Sequence, residues 1–281
     1  MNIYEETKFL MKKYNISANK DLGQNFLIDD NVIENIVEAA EINEKDFVIE
    51  IGPGLGTLTS RLVEKAGKVI AIELDKKMLQ ILNDRFALYN NFSLINEDVL
   101  KVELNNLIHN ENTQNYTVKI VANLPYYITT PIVMKLLEEK LNIESITVMI
   151  QKEVADRLTE TPGGKNTGAI TYCVYYYAEA QEVLTVPNTS FVPEPKVCSE
   201  VIKLNIRKEP PVALKDEKIF FKVVKASFMQ RRKTLLNGLA NAGIASKEKL
   251  KEILLELNLS ENVRGESLSI EQFAEIANKL C

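Results

Sequence analysis

Short apolar runs alternate with amphipathic stretches over the amino-terminal half of the chain. Five runs are rich in β-branched residues and have the length of buried strands, at residues 47–51, 68–72, 92–95, 118–122 and 146–150. Helical spacing of apolar residues occupies residues 32–40, 76–85, 131–140 and 152–158. Residues 169–180 are also interpreted as a helix, although their tyrosines favour a strand. Strands that alternate with helices in this way predict an α/β fold built on a doubly wound parallel sheet.

A proline-rich segment, Glu209-Pro210-Pro211, marks a change in this pattern. It follows a strand-like run at residues 201–206, and successive prolines stiffen a chain and remove amide donors. Beyond it, helical spacing recurs at residues 217–229, 233–241, 247–257 and 270–280. We therefore predict a large domain at residues 1–208 and a small helical domain at residues 209–281.

The composition then excludes several classes of protein. No apolar run approaches the ~18 residues of a membrane span, and the amino terminus lacks the basic and apolar regions of a signal peptide. We expect a cytoplasmic protein that does not associate with membranes. The three cysteines are odd in number and widely spaced, which predicts reduced thiols and no metal cluster. The single histidine, His109, lies in a polar stretch interpreted as a solvated loop, so neither metal-dependent nor histidine-dependent chemistry is expected.

The charge is distributed unevenly along the chain. The net charge is −5, but residues 1–195 carry −10 and residues 196–240 carry +7. The basic block includes Lys222, Lys225, Arg231, Arg232 and Lys233. Such a block can bind a phosphate backbone even on an acidic protein, and it can equally be the solvated face of a helix.

A glycine-rich turn follows the first predicted strand. Gly52, Gly54 and Gly56 precede a helix expected to begin near Thr57. Glycine lets the backbone approach a ligand closely and present amide donors at a helix start. Turns of this kind serve dinucleotides, S-adenosylmethionine or simple tight packing. The G-x-G-x-G spacing differs, however, from the G-x-G-x-x-G of dinucleotide enzymes.

Acidic residues stand where the next two strands end. Glu73, at the end of the second strand, can accept hydrogen bonds from two ribose hydroxyls. Asp98, after the third, can accept one from an adenine amino group. Because the carboxyl ends of parallel strands meet at one edge, these acids and the glycine turn predict an adenosine site at the switch point of the sheet.

The most informative motif is Asn123-Leu124-Pro125-Tyr126, at the end of the fourth strand. The exocyclic nitrogen of adenine is a poor nucleophile because its lone pair is delocalised into the ring. Two acceptors, the Asn123 side-chain oxygen and the Leu124 carbonyl, can expose that lone pair, while Pro125 fixes the turn. Tyr126 can stack on an extruded base. Since a neutral amide cannot take up a proton near pH 7, Asn123 is expected to position and polarise. The motif predicts methyl transfer to a nucleobase amino group.

Several motifs together resemble those of the bacterial small-subunit ribosomal RNA adenine dimethyltransferases. Residues 20–27, Lys-Asp-Leu-Gly-Gln-Asn-Phe-Leu, are similar to the family segment that covers the cofactor. Residues 191–197, Phe-Val-Pro-Glu-Pro-Lys-Val, are similar to a loop whose aromatic residue stacks on the target base, which implies Phe191 opposite Tyr126. One departure is Cys198, which stands where the family pattern has an aspartate.

The resemblance implies a Rossmann-like class I methyltransferase fold with S-adenosylmethionine as cofactor and no metal. The family's cofactor contacts fall on Asn25, Leu27, Gly52, Glu73, Asp98 and Asn123. Residues 227–235 and 264–269 are similar to carboxyl-terminal family signatures, and on this basis the basic block is interpreted as an RNA contact. The implied reaction is N6,N6-dimethylation of two adjacent adenines in a hairpin near the 3′ end of 16S rRNA. The implied partner is the assembling small ribosomal subunit, and we expect a monomer.

Three alternatives remain open from the sequence. The first is the related large-subunit (23S) rRNA adenine methyltransferase that confers antibiotic resistance, which shares the glycine turn and an Asn-x-Pro-aromatic motif. The second is a non-catalytic assembly or RNA-binding factor on the same scaffold, against which the intact Asn123, Tyr126, Glu73 and Asp98 argue. A dinucleotide oxidoreductase is a more distant third.

Overall fold

Helices and strands alternate along the chain as the hydrophobic pattern predicts. The computed structural model describes residues 2–19, 22–230 and 232–281. The strands are β1 (Phe26–Leu27), β2 (Asp46–Ile51), β3 (Lys68–Glu73), β4 (Phe92–Asn96), β5 (Thr117–Asn123), β6 (Ser145–Gln151), β7 (Ala178–Val186), β8 (Phe191–Val192) and β9 (Ser199–Ile206). The helices are α1 (Ile3–Lys13), α2 (Asp30–Ala39), α3 (Thr57–Lys65), α4 (Lys76–Phe86), α5 (Leu104–Glu111), α6 (Thr129–Glu138), α7 (Lys152–Leu158), α8 (Ala169–Tyr177), α9 (Glu217–Phe228), α10 (Leu235–Asn241), α11 (Lys247–Glu256) and α12 (Ile270–Leu280).

Seven strands form the central sheet, in the order β4-β3-β2-β5-β6-β9-β7. The strands from β4 to β6 pair in parallel, and β9 pairs antiparallel with β6. The central strand β2 is buried at every residue, as expected of a strand covered on both faces. The strand order reverses between β2 and β5, so ligands are expected at the carboxyl ends of these strands. The predicted doubly wound sheet is confirmed.

Two compact units divide the chain. The first comprises Met1–Ala155 and Ala180–Ile206, and the second comprises Asp156–Glu179 and Arg207–Cys281. The helices α8 to α12 belong to the second unit. The predicted boundary near residue 208 lies close to the last transition, between Ile206 and Arg207. Residues 156–179, which the prediction assigned to the large domain, belong to the second unit.

Tyr172 on α8 explains why that segment joins the second unit. Its side chain is fully buried, and its ring centroid lies 4.8 Å from that of Phe273. Its hydroxyl donates a hydrogen bond to the Leu268 carbonyl at 2.6 Å. A contact between residues so distant in the chain leaves no trace in local periodicity, so the sequence pattern could not reveal it.

Two local predictions need correction. The stretch around His109 is the helix α5 rather than a loop, although His109 itself is exposed. Only Leu104 and Ile108 are buried on α5, too few to give a recognisable helical repeat. The predicted helix at residues 169–180 is correct up to Tyr177, after which the chain continues as β7. The hydrophobic pattern also gives no prediction of α1, β1, β7 and β8.

The described helices include none with the length and apolarity needed to cross a bilayer. Within residues 2–19, 22–230 and 232–281, His, Cys, Asp and Glu side chains form no group of three that could hold a metal ion.

Candidate active site

The glycine turn connects β2 to α3, and all three of its glycines have left-handed φ angles. These angles are 69° at Gly52, 57° at Gly54 and 80° at Gly56, a region that favours glycine. The Gly54 N–H donates to Glu73 Oε2 at 3.0 Å, and Arg85 donates to the Leu55 carbonyl. The turn is therefore held in place from the end of β3 and from α4.

Gly56 is required by packing. A Cβ at Gly56 would lie 2.7 Å from the Phe86 ring and 3.0 Å from Leu82. We expect Gly56→Ala to lower the free energy of unfolding by about 2–4 kcal/mol, because left-handed strain adds to overpacking. Chemical denaturation of the full chain measures this. Gly52→Ala is a matched control, since its Cβ would meet nothing closer than the Asn123 carbonyl at 4.0 Å, and we expect a loss of about 1–2 kcal/mol. Equal losses in the two variants would contradict the packing explanation.

Two buried carboxyl groups lie beside the turn. Glu73 is 6% exposed and also accepts from the Asp75 N–H at 2.7 Å. Burial raises the pKa of Glu73, although hydrogen bonds from backbone N–H groups oppose the rise. Glu50 in β2 is 1% exposed and accepts from the Thr59 hydroxyl at 2.6 Å. Burial raises the pKa of Glu50 to about 8 against that hydrogen bond, with the charge of Glu73 adding to the rise. Glu50 is therefore largely neutral at pH 7.

A two-stranded sheet brings the amino-terminal segment to the same edge. β1 pairs antiparallel with β8, with Phe26 opposite Val192 and Leu27 opposite Phe191. The Ile28 N–H extends this pairing by donating to the Ser190 carbonyl at 2.9 Å. The pairing joins the predicted cofactor-covering segment to the predicted base-stacking loop.

Gln24 fastens the covering segment to the end of β3. Its Nε2 donates to Asp75 Oδ2 at 2.9 Å, and Asp75 also caps α4 through the Lys77 N–H. Lys20 and Asp21, which belong to the predicted motif, lie outside the described residues.

Asn123 ends β5, next to the glycine turn on β2. In the described parts of the chain, neither its side-chain amide nor the Leu124 carbonyl has a hydrogen-bond partner. The turn itself is fixed, because the Leu124 N–H donates to the Met149 carbonyl at 3.1 Å and the Thr129 hydroxyl donates to the Pro125 carbonyl at 3.1 Å. The backbone of the turn is thus held in position, and both predicted acceptors are available to a ligand.

Tyr126 and Phe191 line one cavity from different elements. Tyr126 is half-buried and Phe191 is 3% exposed. Tyr126 Oη lies 2.7 Å from Ser199 Oγ, so the two hydroxyls share a hydrogen bond. Burial raises the pKa of Tyr126 further above neutrality.

Asp98 follows β4 with one oxygen engaged. Its Oδ1 accepts from the Leu100 N–H at 3.0 Å. Its Oδ2 accepts no hydrogen bond from residues that the structure describes. One carboxylate oxygen therefore remains for a ligand.

One cavity collects most of the predicted site residues. Its open space, counted together with the solvent at its mouth, is about 1110 Å³. The predicted residues that line it are Asn25, Leu27, Gly52, Gly54, Glu73, Asp98, Asn123, Leu124, Pro125, Tyr126 and Phe191. Gly56, predicted to bind the cofactor, is absent from the lining.

The basic block belongs to the second unit. Lys222 and Lys225, three residues apart on α9, share one helix face, and both are exposed. Arg232 and Lys233 are exposed after α9, while Arg231 lies outside the described residues. Among described residues, none of these four cations forms an ion pair, so all four are available to an anionic partner.

The two carboxyl-terminal signature segments contact each other inside the second unit. A Cβ at Gly265 would lie 2.8 Å from Ser227, and the Leu235 N–H donates at 2.8 Å to the carbonyl of Val263, the residue before the second segment. Ser227 and Gly265 are both buried. These segments therefore build the core of the unit, and the exposed cations are carried on its surface.

Four residues of the site escaped sequence reasoning in different ways. Gln24 stood inside a recognised motif without an assigned partner, and Asp75 follows Glu73 by two positions, where a second acid could have drawn attention. Glu50 lies in β2 two positions before Gly52, and the sequence assigned it no role. Ser199 carried no signal, because its contact with Tyr126 joins residues 73 positions apart.

The fold and the cavity together define a class I methyltransferase. Two solved structures share this architecture. A dimethyladenosine transferase from Plasmodium falciparum matches with a TM-score of 0.75 and 26% identity, over 89% of this chain and 95% of that one. The 23S rRNA methyltransferase ErmE matches with a TM-score of 0.68 and 25% identity, over 91% and 99%. The chain belongs to the ribosomal RNA adenine dimethylase family, whose model matches residues 15–281.

Closer relatives carry a more specific name. A protein of Geobacillus sp. strain WCH70 is 48% identical over 277 residues, which are 98% of this chain and 95% of the relative. A protein of Bacillus cytotoxicus is 50% identical over the same shares of the two chains. Both are named ribosomal RNA small subunit methyltransferase A. The protein is therefore a methyltransferase, and the dinucleotide oxidoreductase considered from the sequence is wrong.

Proposed function

We propose that this protein transfers methyl groups from S-adenosylmethionine to adenine amino nitrogens of 16S rRNA, giving N6,N6-dimethyladenine. The observation that carries the proposal is the pair of acceptors at Asn123 and Leu124. A fixed turn that leaves two oxygens without partners suits a ligand bearing two hydrogens on one nitrogen. An adenine amino group is such a ligand.

The residues around the cavity fit the cofactor. S-adenosylmethionine, when bound, supplies a methyl group on a cationic sulfur; its transfer to nitrogen leaves S-adenosylhomocysteine and one proton. Gly52 and Gly54 let the backbone approach the ligand, and Asp98 offers a carboxylate oxygen that accepts from the adenine amino group of the cofactor. Glu73 accepts ribose hydroxyls through the second lone pairs of its two oxygens. Asn25 and Leu27 cover the cofactor from the amino-terminal segment.

The target base stacks between Tyr126 and Phe191. Stacking of a base on an aromatic ring contributes about 1–3 kcal/mol, which offsets part of the few kcal/mol needed to extrude a nucleotide. Asn123 and Leu124 then accept hydrogen bonds from the amino group and draw its nitrogen toward tetrahedral geometry. The released proton passes to solvent, since neither acceptor can hold it near pH 7.

The small subunit is favoured over the large one as substrate. The relatives named for the small subunit are 48–50% identical, whereas the 23S rRNA methyltransferase ErmE is 25% identical. The second unit serves as the RNA-binding domain, with Lys222, Lys225, Arg232 and Lys233 on phosphates and Arg231 beside them in sequence. The substrate is a pair of adjacent adenines in a hairpin near the 3′ end, within an assembling subunit. The enzyme acts as a monomer in the cytoplasm.

Methyl transfer to isolated ribosomal subunits tests the proposal. Undermethylated small and large subunits are incubated separately with the protein and labelled S-adenosylmethionine, and modified adenines are mapped by mass spectrometry. We expect label only in 16S rRNA, on two adjacent dimethylated adenines. Label confined to 23S rRNA would support the large-subunit alternative. Tight RNA binding without label in either subunit would support a non-catalytic assembly factor.

A further inference from the structure

A hydrogen bond from β9 fixes the phenolic oxygen of Tyr126. Tyr126 Oη and Ser199 Oγ are 2.7 Å apart, and Ser199 is fully buried. Within the described chain, the Ser199 hydroxyl has no other side-chain partner. Because this hydrogen bond is its side-chain contact, the Ser199 hydroxyl influences the site through the position of Tyr126.

The position of Ser199 follows from the sheet. Ser199 begins β9 opposite Gln151 of β6, and β6 in turn lies beside β5, which ends at Asn123. All three strand ends therefore meet at the edge that carries the cavity. Phe191 precedes Ser199 by eight residues, so one short stretch of chain supplies both the second aromatic wall and the anchor of the first.

The backbone on both sides of Ser199 is held firmly. The Lys152 N–H donates to the Cys198 carbonyl at 3.1 Å. The Glu200 carboxylate, 3% exposed, receives Lys152 Nζ at 3.1 Å and the Thr185 hydroxyl at 2.7 Å. The position of the Ser199 hydroxyl is thus well defined, and its hydrogen bond restrains the position of the Tyr126 phenol.

We propose that Ser199 is a positioning residue that holds the Tyr126 ring where the extruded adenine stacks. This inference rests on the proposed function, because it requires a base at Tyr126. The phenolic oxygen lies on the χ2 axis of tyrosine, so the hydrogen bond restrains χ1 and thereby the place of the ring, while the ring remains free to tilt toward a base. Without the anchor the ring samples other χ1 values, and the base reaches the methyl donor in a smaller fraction of encounters.

A double-mutant cycle on kcat tests the positioning role. Ser199→Ala and Tyr126→Phe each remove one half of the hydrogen bond while keeping an aromatic ring at position 126. We expect each to lower kcat by about 3- to 10-fold, the equivalent of one ordinary hydrogen bond, without changing KM for S-adenosylmethionine. The double variant is expected to equal either single variant, because both act through one contact. Ser199→Thr keeps the hydroxyl and should restore at least half of the wild-type kcat.

Ser145→Ala is the matched control. Ser145 is a buried serine at the other end of β6, and its hydroxyl has no partner in the described structure. It should leave kcat unchanged. The positioning role is overturned if Ser199→Ala retains wild-type kcat, or if the double variant shows the product of the two single losses. A wild-type protein that labels no adenine in either subunit would instead overturn the proposed function, so the two failures are distinguishable.

Discussion

Replacing Asn123 with alanine is expected to lower the rate of methyl transfer by about 100- to 1,000-fold, the usual effect of removing one preorganised polar partner of a transition state. Asn123 ends β5 inside the cavity, and its amide has no partner among the described residues. The substitution removes one of two acceptors and leaves the backbone of the turn intact, since Leu124 and Pro125 hold that turn through main-chain groups. The remaining acceptor, the Leu124 carbonyl, accounts for residual activity.

Single-turnover rates at saturating cofactor and RNA measure this effect. Saturation separates the chemical step from cofactor affinity, to which Asn123 also contributes in our proposal. The dissociation constant for RNA should change by less than about threefold, because phosphate contacts dominate RNA affinity. Asn105→Ala provides a control: Asn105 is exposed on α5 and donates to the Glu139 carbonyl away from the cavity. A wild-type single-turnover rate in Asn123→Ala would refute the polarising role.

The second large effect concerns the pH dependence of stability. Burial raises the pKa of Glu50 to about 8, whereas the unfolded chain has the ordinary value near 4.5. Between these values the folded protein keeps a proton that the unfolded chain releases. Raising the pH therefore favours unfolding, and this group removes about 1.4 kcal/mol of stability for each pH unit within the window. Its contribution is fully present below about pH 4.5 and is lost above about pH 8.

Glu50→Gln removes this titration while keeping an oxygen for the Thr59 hydroxyl. The difference in the free energy of unfolding between the variant and the wild type is expected to increase by about 2–3 kcal/mol from pH 6 to pH 8. Urea denaturation at several pH values measures it. Glu200→Gln is the contrasting control. Glu200 is also buried but accepts from Lys152 Nζ at 3.1 Å, so neutralising it removes the charge that this ion pair stabilises and should lower stability. Parallel stability curves for Glu50→Gln and the wild type would show that Glu50 does not titrate in this range.

The cavity residues that sequence reasoning found share one property. Gly52, Glu73, Asp98 and Asn123 each stand at the carboxyl end of a parallel strand, and a doubly wound sheet brings such ends together. Finding the strands therefore sufficed to group these residues. Phe191 and the segment at residues 22–27 do not stand at the carboxyl end of a parallel strand. They were predicted to belong to the site only from the resemblance to a known family. The physical link between them is the β1–β8 pairing of two-residue strands, which are too short to leave a periodic signal.

Gly56 shows the opposite case. The glycine motif predicted that Gly56 binds the ligand, but the close approach of Phe86 and Leu82 explains why a glycine stands there. A motif alone cannot distinguish a glycine needed for ligand binding from one needed for packing. The carboxyl-terminal signatures behave similarly, since Ser227 and Gly265 meet in the core of their unit.

The amino-acid sequence by itself determined the five parallel strands, the doubly wound sheet that they form and the edge at which its chemistry lies. It did so because periodicity and turn residues act over a few neighbouring positions. The tertiary structure alone decided which buried groups face each other: Ser199 and Tyr126, Gln24 and Asp75, and Tyr172 with the helices of the second unit. The tertiary structure also decided the raised pKa of Glu50, because desolvation depends on all the groups packed around a carboxyl group and not on its neighbours in the chain.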